Sequence, residues 1–541
     1  MPTKCLIQPS TYRDSVALMA VARELTRREG VIDAAVVMAT PANKALLEEA
    51  GLLQPEIAAA DPNDLAIVVQ AQSESIADQA LEQARQYLEQ KAAAGGARAA
   101  ARAPRTLRAA LHAQPEANLA VISVAGEFAT AEAWDALLSG LHVFLFSDNV
   151  SLADEVALKK YAAAHDLLFM GPGCGTALLD GVALGFANVV PRGPVGIVAA
   201  AGTGLQEVTT LLAKTGMGVS QGIGTGGRDL SEAVGGITMR QGIRRLQEDE
   251  QTKIVMLISK PPAPAVAARI LKDLDDKPTI VCFLGSDPAP IAAAGATPAQ
   301  TLQEAVYLAG EILTVQTAEA VTAAPEEFQM ISAPLLARSF SARSVLQREN
   351  TALGEQAKAL RQRLHPGQRY LRGLYSGGTL LAEAQVIWRG LGLEVYSNAP
   401  LDEAFQLADP ARSWGHCALD LGGEEFTVGR PHPMIDHDLR IRRLRQEAAD
   451  PEVAVLVLDV VLGYGAHPDP AGELGPAVYQ ARAQAAHKGR DLLVVVSVTG
   501  TKDDPQGLEQ QTQKLEEAGA VVAQCNAAAA RLAGEIVRSE K

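Results

Sequence analysis

Two glycine turns, each leading from an apolar run into a helical pattern, hold the residues best suited to chemistry in this 541-residue chain. The first reads Ile197-Val198-Ala199-Ala200-Ala201-Gly202-Thr203-Gly204-Leu205-Gln206-Glu207. The second reads Leu374-Tyr375-Ser376-Gly377-Gly378-Thr379-Leu380-Leu381-Ala382-Glu383. A helix start offers unpaired backbone N–H groups and the positive end of the helix dipole, so it attracts anions. Gly202, Thr203, Gly204, Ser376, Gly377, Gly378 and Thr379 are therefore candidate phosphate- or substrate-binding residues. Gly422 and Gly423, in Asp420-Leu421-Gly422-Gly423, join them. Two such turns aimed at one point would hold a phosphate from both sides.

Charged side chains complete the candidate set. Lys260, in Ser259-Lys260-Pro261-Pro262, follows an apolar run and supplies a positive charge for phosphate oxygens. Arg228, in Gly226-Gly227-Arg228-Asp229-Leu230, or Arg430, in Gly429-Arg430-Pro431-His432, could clamp a carboxylate with two guanidinium arms. His432 or His416 could shuttle a proton, and each could equally be a hydrogen-bonded loop histidine. Asp229 and Asp436 either orient these groups or cap helices. Lys260, Arg228, His432 and Arg430 are the catalytic candidates. The five cysteines lack paired metal-ligand spacing, so no metal is expected. Cys5, Cys282 and Cys525 fall in apolar runs as buried thiols, and Cys174 sits in a glycine loop as a structural residue rather than a nucleophile.

The elements that must carry these residues are short Val/Ile/Leu runs, each followed by a turn and an amphipathic helix. Strands are expected at Ala34–Met38, Leu65–Val69, Leu119–Val124, Val143–Phe146, Val195–Ala199, Ile254–Ile258 and Thr279–Phe283. The second half adds Tyr370–Tyr375, Ala418–Leu421, Val453–Val460 and Leu492–Val498. Continuous apolar strands alternating with helices predict an α/β fold of parallel sheets covered on both faces, with ligands at the carboxyl ends of the strands. Gly222-Ile223-Gly224-Thr225-Gly226-Gly227 is read as a loop at the rim of the site. A formal charge of −15 excludes a nucleic-acid partner, which needs a basic surface. With no apolar run long enough for a bilayer and no signal-peptide pattern, a cytoplasmic, membrane-free protein is expected.

From Leu168 onward the chain resembles the succinyl-CoA synthetase (acyl-CoA synthetase) superfamily. Phe169-Met170-Gly171-Pro172-Gly173-Cys174-Gly175 is similar to a turn of the α-subunit, Gly193–Gly204 to the strand and phosphate-facing helix of its ligase domain, and Tyr375–Leu380 to the matching helix of the β-subunit. Over nearly the whole chain the match is narrower. Met38-Ala39-Thr40-Pro41-Ala42-Asn43-Lys44, Ser147-Asp148-Asn149-Val150, Gly226–Leu230 and Val428–Asp436 resemble the FdrA (AllF) family. The resemblance implies a Rossmann-like, CoA-binding-type domain over 1–191 with a helical insertion at about 72–114, followed by two flavodoxin-like ligase-type domains over 192–320 and 369–541. A helical linker, 321–368, would join them.

Two departures shape the functional expectation. The superfamily's relay histidine belongs in the loop Gly285–Ala296, which has none; the nine histidines leave 166–364 empty. The turn that would cradle the CoA diphosphate reads Pro9-Ser10-Thr11-Tyr12-Arg13-Asp14-Ser15 and holds no glycine, which hinders CoA, so no cofactor is expected. The FdrA resemblance implies a carbamoyltransferase component, without phosphohistidine, that exchanges carbamoyl between oxalurate and phosphate to give oxamate and carbamoyl phosphate in purine-ureide catabolism. Its ligands would be phosphate or carbamoyl phosphate and a small amide-bearing acid, with partner protein subunits expected and a homo-oligomer left open. The alternative is a CoA ligase component of the acyl-CoA synthetase (NDP-forming) kind.

Overall fold

The computed structural model describes residues 2–11, 15–26, 28–95, 104, 106–322, 341–427 and 431–538. The chain forms two compact units, the first Met1–Gln114 with Thr427–Arg430 and the second built from Pro115–Phe426 and Pro431–Lys541.

In the first unit, β1 (Thr3–Gln8), β2 (Val31–Met38) and β3 (Leu65–Ala71) form an antiparallel sheet of order β1-β3-β2. Helices α1 (Ser15–Thr26), α2 (Pro41–Glu49), α3 (Pro55–Ala59), α4 (Glu74–Gly95) and α5 (Leu107–Ala113) complete it. Because β3 is central, Leu65, Ile67 and Val69 pack on one face with Leu18, Leu25 and Ala80, while Ala66 and Val68 pack on the other with Leu47 and Ile57. The 1–191 segment expected as one Rossmann-like body thus divides after Gln114, and its first sheet is antiparallel. Burial on both faces removes the polar alternation by which an antiparallel strand is usually recognised. Part of the helical insertion expected at about 72–114, residues 96–103 and 105, lies outside the described residues.

The second unit is α/β with three sheets. The parallel layer β4 (Leu119–Ile122), β5 (His142–Leu145) and β6 (Phe169–Met170) carries α6 (Gly126–Leu138) and α7 (Leu152–Ala164). A hairpin, β7 (Thr176–Leu179) and β8 (Val182–Gly185), then leads into the first ligase-type sheet. Its strands are β9 (Arg192–Ala199), β10 (Val219–Gly224), β11 (Ile254–Ser259), β12 (Thr279–Phe283) and β13 (Thr297–Pro298), in the order β13-β12-β11-β9-β10-β7-β8. Its helices are α8 (Gly202–Lys214), α9 (Ile237–Glu248), α10 (Pro264–Lys272), α11 (Pro288–Ala293) and α12 (Leu302–Thr322). The strands after the hairpin pair in parallel, and β10 pairs antiparallel with β7. Gly222 and Gly224, expected in a rim loop, therefore lie inside a strand. Gly224 runs so close to Thr176 and Cys174 that a Cβ there would strike the Thr176 carbonyl.

Helix α13 (Ala342–Arg361) precedes the second ligase-type sheet. That sheet is parallel throughout: β14 (Tyr370–Tyr375), β15 (Val395–Ser397), β16 (His416–Asp420), β17 (Val453–Val461), β18 (Leu493–Thr499) and β19 (Val521–Ala523), in the order β15-β16-β14-β17-β18-β19. Its flanking helices are α14 (Gly378–Gly390), α15 (Asp438–Ala449), α16 (Pro470–His487), α17 (Leu508–Glu517) and α18 (Asn526–Val537). One core runs through both halves, joining Val195, Leu205 and Ile258 to Tyr375, Leu381, Trp388 and Leu532. Among the described residues no helix is long and apolar enough to cross a membrane.

Candidate anion site between two helix starts

The two glycine turns face each other. A Cβ on Gly204 would stand 2.7 Å from Cγ2 of Thr379, and one on Gly377 would collide with the Thr203 side chain. Each turn leaves room for the other half's threonine because it has no side chain of its own. Neither helix has a side-chain cap; Ala201 and Gly377 occupy the N-cap positions in extended conformation. The first backbone N–H groups of both helices, Gly202–Gly204 and Gly378–Leu380, are thus left for a ligand. Thr203 and Thr379 are nearly buried, and neither hydroxyl has a hydrogen-bond partner among the described residues.

Lys260 arrives from the end of β11, the strand neighbouring β9 at the point where strand order reverses. Its Nζ lies so close to Gly378 that a Cβ there would overlap both it and Oδ2 of Asp420. Among the described residues the Lys260 ammonium has neither ion pair nor hydrogen bond. Asp420 is 8 % exposed and accepts from the Gly422 N–H at 3.1 Å. Burial raises its carboxyl above the usual range, and Lys260 pulls it partly back.

His432 closes the other side, its Nε2 2.7 Å from where a Gly422 Cβ would lie. Met434 N–H donates to Nδ1 at 3.2 Å, so the neutral ring carries its proton on Nε2, towards Gly422. Burial, with Arg440 nearby, depresses the imidazolium pKa to about 4, so near pH 7 His432 is a neutral donor. His416 is elsewhere: it begins β16, takes the Leu371 N–H at 3.1 Å, and stands at the opposite strand end from Asp420.

Ser376 differs from its expected role. Its N–H and hydroxyl both donate to Asp459, at 2.8 and 2.5 Å, and Asp459 in turn pairs with the fully buried Arg440 at 3.0 Å. Ser376 therefore fixes the turn and has no donor left for an anion. Arg228 is also committed: Nε donates to Glu155 at 2.9 Å and a terminal nitrogen to the Val150 carbonyl at 2.8 Å. Glu155 shares this buried network with Lys159, which also pairs with Asp229 at 2.7 Å. Asp229 caps α9 through the N–H groups of Thr238 and Met239, and Asp436 accepts from the Asp438 N–H at the start of α15. Arg430 lies outside the described residues. Cys174 is buried with its thiol pushed up to about 12, as a structural cysteine would be.

Sequence reasoning missed a pair of carboxylates behind the turns. Glu207 and Glu383 each stand five residues after the first helical glycine, and both are buried. Glu207 accepts from the Asn526 N–H that opens α18 at 2.9 Å, and from Thr499. Glu383 accepts from the Leu302 N–H that opens α12 at 2.6 Å, and from the Asn526 side chain at 2.7 Å. The repeat of Glu at one offset was the available signal.

With this geometry in view, the comparisons place the chain. Residues 374–536 match the CoA-ligase family, and residues 1–104 match the AllF heavy-metal-associated domain. The class is thus an AllF-type N-terminal domain joined to a succinyl-CoA-synthetase-type ligase body. More narrowly, the chain belongs to the FdrA (AllF) family together with Escherichia coli (strain K12) YahF, to which it is 43 % identical over 539 residues, 99 % of either chain. It is also similar to subunit alpha 1 of the ADP-forming succinate–CoA ligase of Archaeoglobus fulgidus, at 28 % identity over 184 residues, 33 % of this chain and 61 % of that subunit. Among solved structures it is similar to the dinucleotide-forming acetyl-coenzyme A synthetase 1 of Ca. Korarchaeum cryptofilum, at 14 % identity and TM-score 0.30 over 77 % of this chain and 82 % of that one, a likeness too loose for argument.

These relatives overturn the carbamoyltransferase expectation, and with it oxalurate, oxamate and the purine-ureide setting. The family match at 374–536 and the α-subunit relatives are CoA ligases, a different reaction class.

The family names imply a heavy metal for the N-terminal domain and CoA for the ligase body. Residues 1–104 contain one cysteine, Cys5, and no histidine. Burial and the Glu56 carboxylate raise the Cys5 thiol, which disfavours the thiolate that a soft metal needs. The first unit does not fit a heavy-metal site. In the turn after β1, Asp64 accepts from the Ser10 N–H at 2.8 Å, so that backbone donor is not free for a diphosphate. Elsewhere His437, His467 and Glu473 bring donor atoms within 4.8 Å of one another. However, Asp469 N–H donates to His467 Nδ1 at 3.0 Å, which keeps the proton on the Nε2 that a metal would have to displace.

Proposed function

We propose that this chain is a ligase component of the acyl-CoA synthetase (NDP-forming) kind, and that the phosphate or acyl phosphate of its reaction is held between the starts of α8 and α14. The observation that carries the reading is the facing pair of uncapped glycine turns with the Lys260 ammonium, which has no ion pair among the described residues, beside them. The ligase class draws support from the CoA-ligase match and the succinate–CoA ligase relatives.

In this reading the two helix starts and the Thr203 and Thr379 hydroxyls bind the phosphate oxygens, and Lys260 neutralises the charge that grows on them as an acyl–phosphate bond forms or breaks. His432 donates from Nε2 as a neutral imidazole. The loop Gly285–Ala296 supplies no histidine, so phosphoryl is not carried covalently there. A nucleotide-binding subunit of the ATP-grasp type is the expected partner, and a cytoplasmic setting belongs to the same proposal. Calorimetric titration of the purified chain with inorganic phosphate, acetyl phosphate and CoA tests it. Binding of phosphate and acetyl phosphate that Lys260→Ala weakens, together with CoA-dependent nucleotide turnover once an ATP-grasp partner is added, is the expected outcome. Failure of phosphate and acetyl phosphate to bind would overturn the site, and the absence of CoA-dependent turnover with such partners would overturn the class.

A further inference from the structure

Behind the two anion-facing turns, the ligase-type halves exchange helix caps. Glu207 projects from α8 of the first half onto the opening N–H of α18, the last helix of the second half. Glu383 projects from α14 of the second half onto the opening N–H of α12, the last helix of the first-half sheet. Asn526 ties the two together: its backbone donates to Glu207, while its side chain donates to Glu383 and to the Leu380 carbonyl. Glu383, Asn526 and Glu207 are at most 2 % exposed. A carboxylate at a helix N-terminus is stabilised by that helix's dipole, so each one fixes its own helix relative to the other half. Both residues sit within two turns of the glycines that touch the opposing threonines, Gly204 and Gly377.

We propose that Glu207 and Glu383 are positioning residues for the anion site: by capping each other's half through Asn526, they hold the starts of α8 and α14 at the separation at which one tetrahedral anion bonds to both. This rests on the reading of the cleft as a phosphate site. Two features support it. The same offset from the glycine turn recurs in both halves, so the device is as two-fold as the site it serves. Among the described residues the Asn526 Oδ1 also has no hydrogen-bond partner, so the side chain is oriented by its donations.

The pair also makes the spacing responsive to pH. Ionised Glu383 accepts from Leu302 and Asn526 together, one on each oxygen; the neutral acid is a weaker acceptor and sets its own O–H among donors. Burial and the Glu207 charge raise the Glu383 carboxyl to about 7. The other groups facing it are Tyr375 of β14, Cys282 of β12, and Cys525 and Arg531 at α18. The three that could lose a proton have pKa values raised further from neutrality, and Arg531 stays charged.

Sulfate is the probe, because it is tetrahedral and does not titrate near neutrality. Its affinity is measured by calorimetry on the full chain from pH 6 to 8, for wild type, Glu207→Gln, Glu383→Gln, Asn526→Ala and Lys260→Ala, well below each protein's melting temperature. Asn526→Ala leaves both backbone caps in place and serves if a carboxylate variant does not fold. The expected result is sulfate binding roughly tenfold or more weaker in each cap variant, in line with the large cost of small misplacements at preorganised sites. Wild-type binding should tighten as pH rises through about 7, and Glu383→Gln should be flat. Cap variants that bind like wild type, or a flat wild-type profile, would overturn the positioning role while leaving the site intact. Failure of wild type to bind sulfate, or full binding by Lys260→Ala, would instead remove the site itself.

Discussion

The contact between the two turns makes an asymmetric prediction. Gly204→Ala puts a methyl group 2.7 Å from Thr379 Cγ2 and 3.2 Å from Ala201 Cβ and Ile258 Cγ2. The last two are tight but tolerable; the first is not, and Thr379, at 4 % exposure, has nowhere to turn. Overpacking of this kind costs about 1–3 kcal/mol, and here the strain is relieved by prising the helix starts apart. Thr379→Ser removes the γ-methyl and keeps the hydroxyl, so the double variant should recover most of that loss. Gly377→Ala is different, because its methyl meets Cβ of Thr203 at 2.7 Å as well as the γ atoms, and Thr203→Ser removes only one of the three. Its defect should persist in the double variant. Urea denaturation gives the stabilities, and sulfate-induced thermal shifts report the site. A Gly204→Ala protein within about 0.5 kcal/mol of wild type, the range of inconsequential surface changes, with an unaltered sulfate shift, would refute the facing-turn geometry. Equal rescue of both pairs would refute the Cβ argument.

Lys260→Ala should weaken phosphate binding by roughly ten- to a hundredfold, the value of a charge-assisted contact of about 1.5–3 kcal/mol, with little change in melting temperature because the side chain is exposed. Asp459→Asn strips the counter-charge from fully buried Arg440 and should cost about 3–5 kcal/mol by denaturant titration, with Arg440→Met in the same background restoring much of it. Acid titration should show stability falling as pH drops from about 6.5 towards 4. His416 and His432 are held to about 4 and His437 to about 3, so over that window the unfolded chain binds protons that the native state refuses. Replacing His437 with Phe should flatten that slope, and an unchanged slope would show that its burial is not the cause.

Much of the α/β body is legible because its strands are buried on both faces. Thr279–Phe283 and Tyr370–Tyr375 fall where the apolar runs place them, and Val453–Val461 extends its run by one residue. The same uniform burial hides direction: Leu65–Ala71 pairs antiparallel yet reads like a parallel strand. Strands whose burial comes from their neighbours are not legible at all. Val219–Gly224 carries Ser, Gln and two glycines and is a strand because β9 and β7 flank it. At the site, the glycine turns could be read from chemistry that is local, a helix start without a cap. Arg228 and Ser376 were misread because their partners, Glu155 and Asp459, lie 73 and 83 residues away. Glu207 and Glu383 were passed over because a carboxylate on a helix reads as solvated unless its burial is known.

Exchanged caps also bear on how the molecule comes apart. If either ligase-type half were produced alone, it would expose the apolar face it shares with the other and leave the opening N–H groups of its own last helix without their carboxylate. Neither half carries a complete set of partners, so the two should melt in one transition and refold only as a pair. Covalent continuity then has a thermodynamic meaning: a chain that carries both halves holds them at fixed one-to-one stoichiometry, and the anion site does not dilute away at low protein concentration.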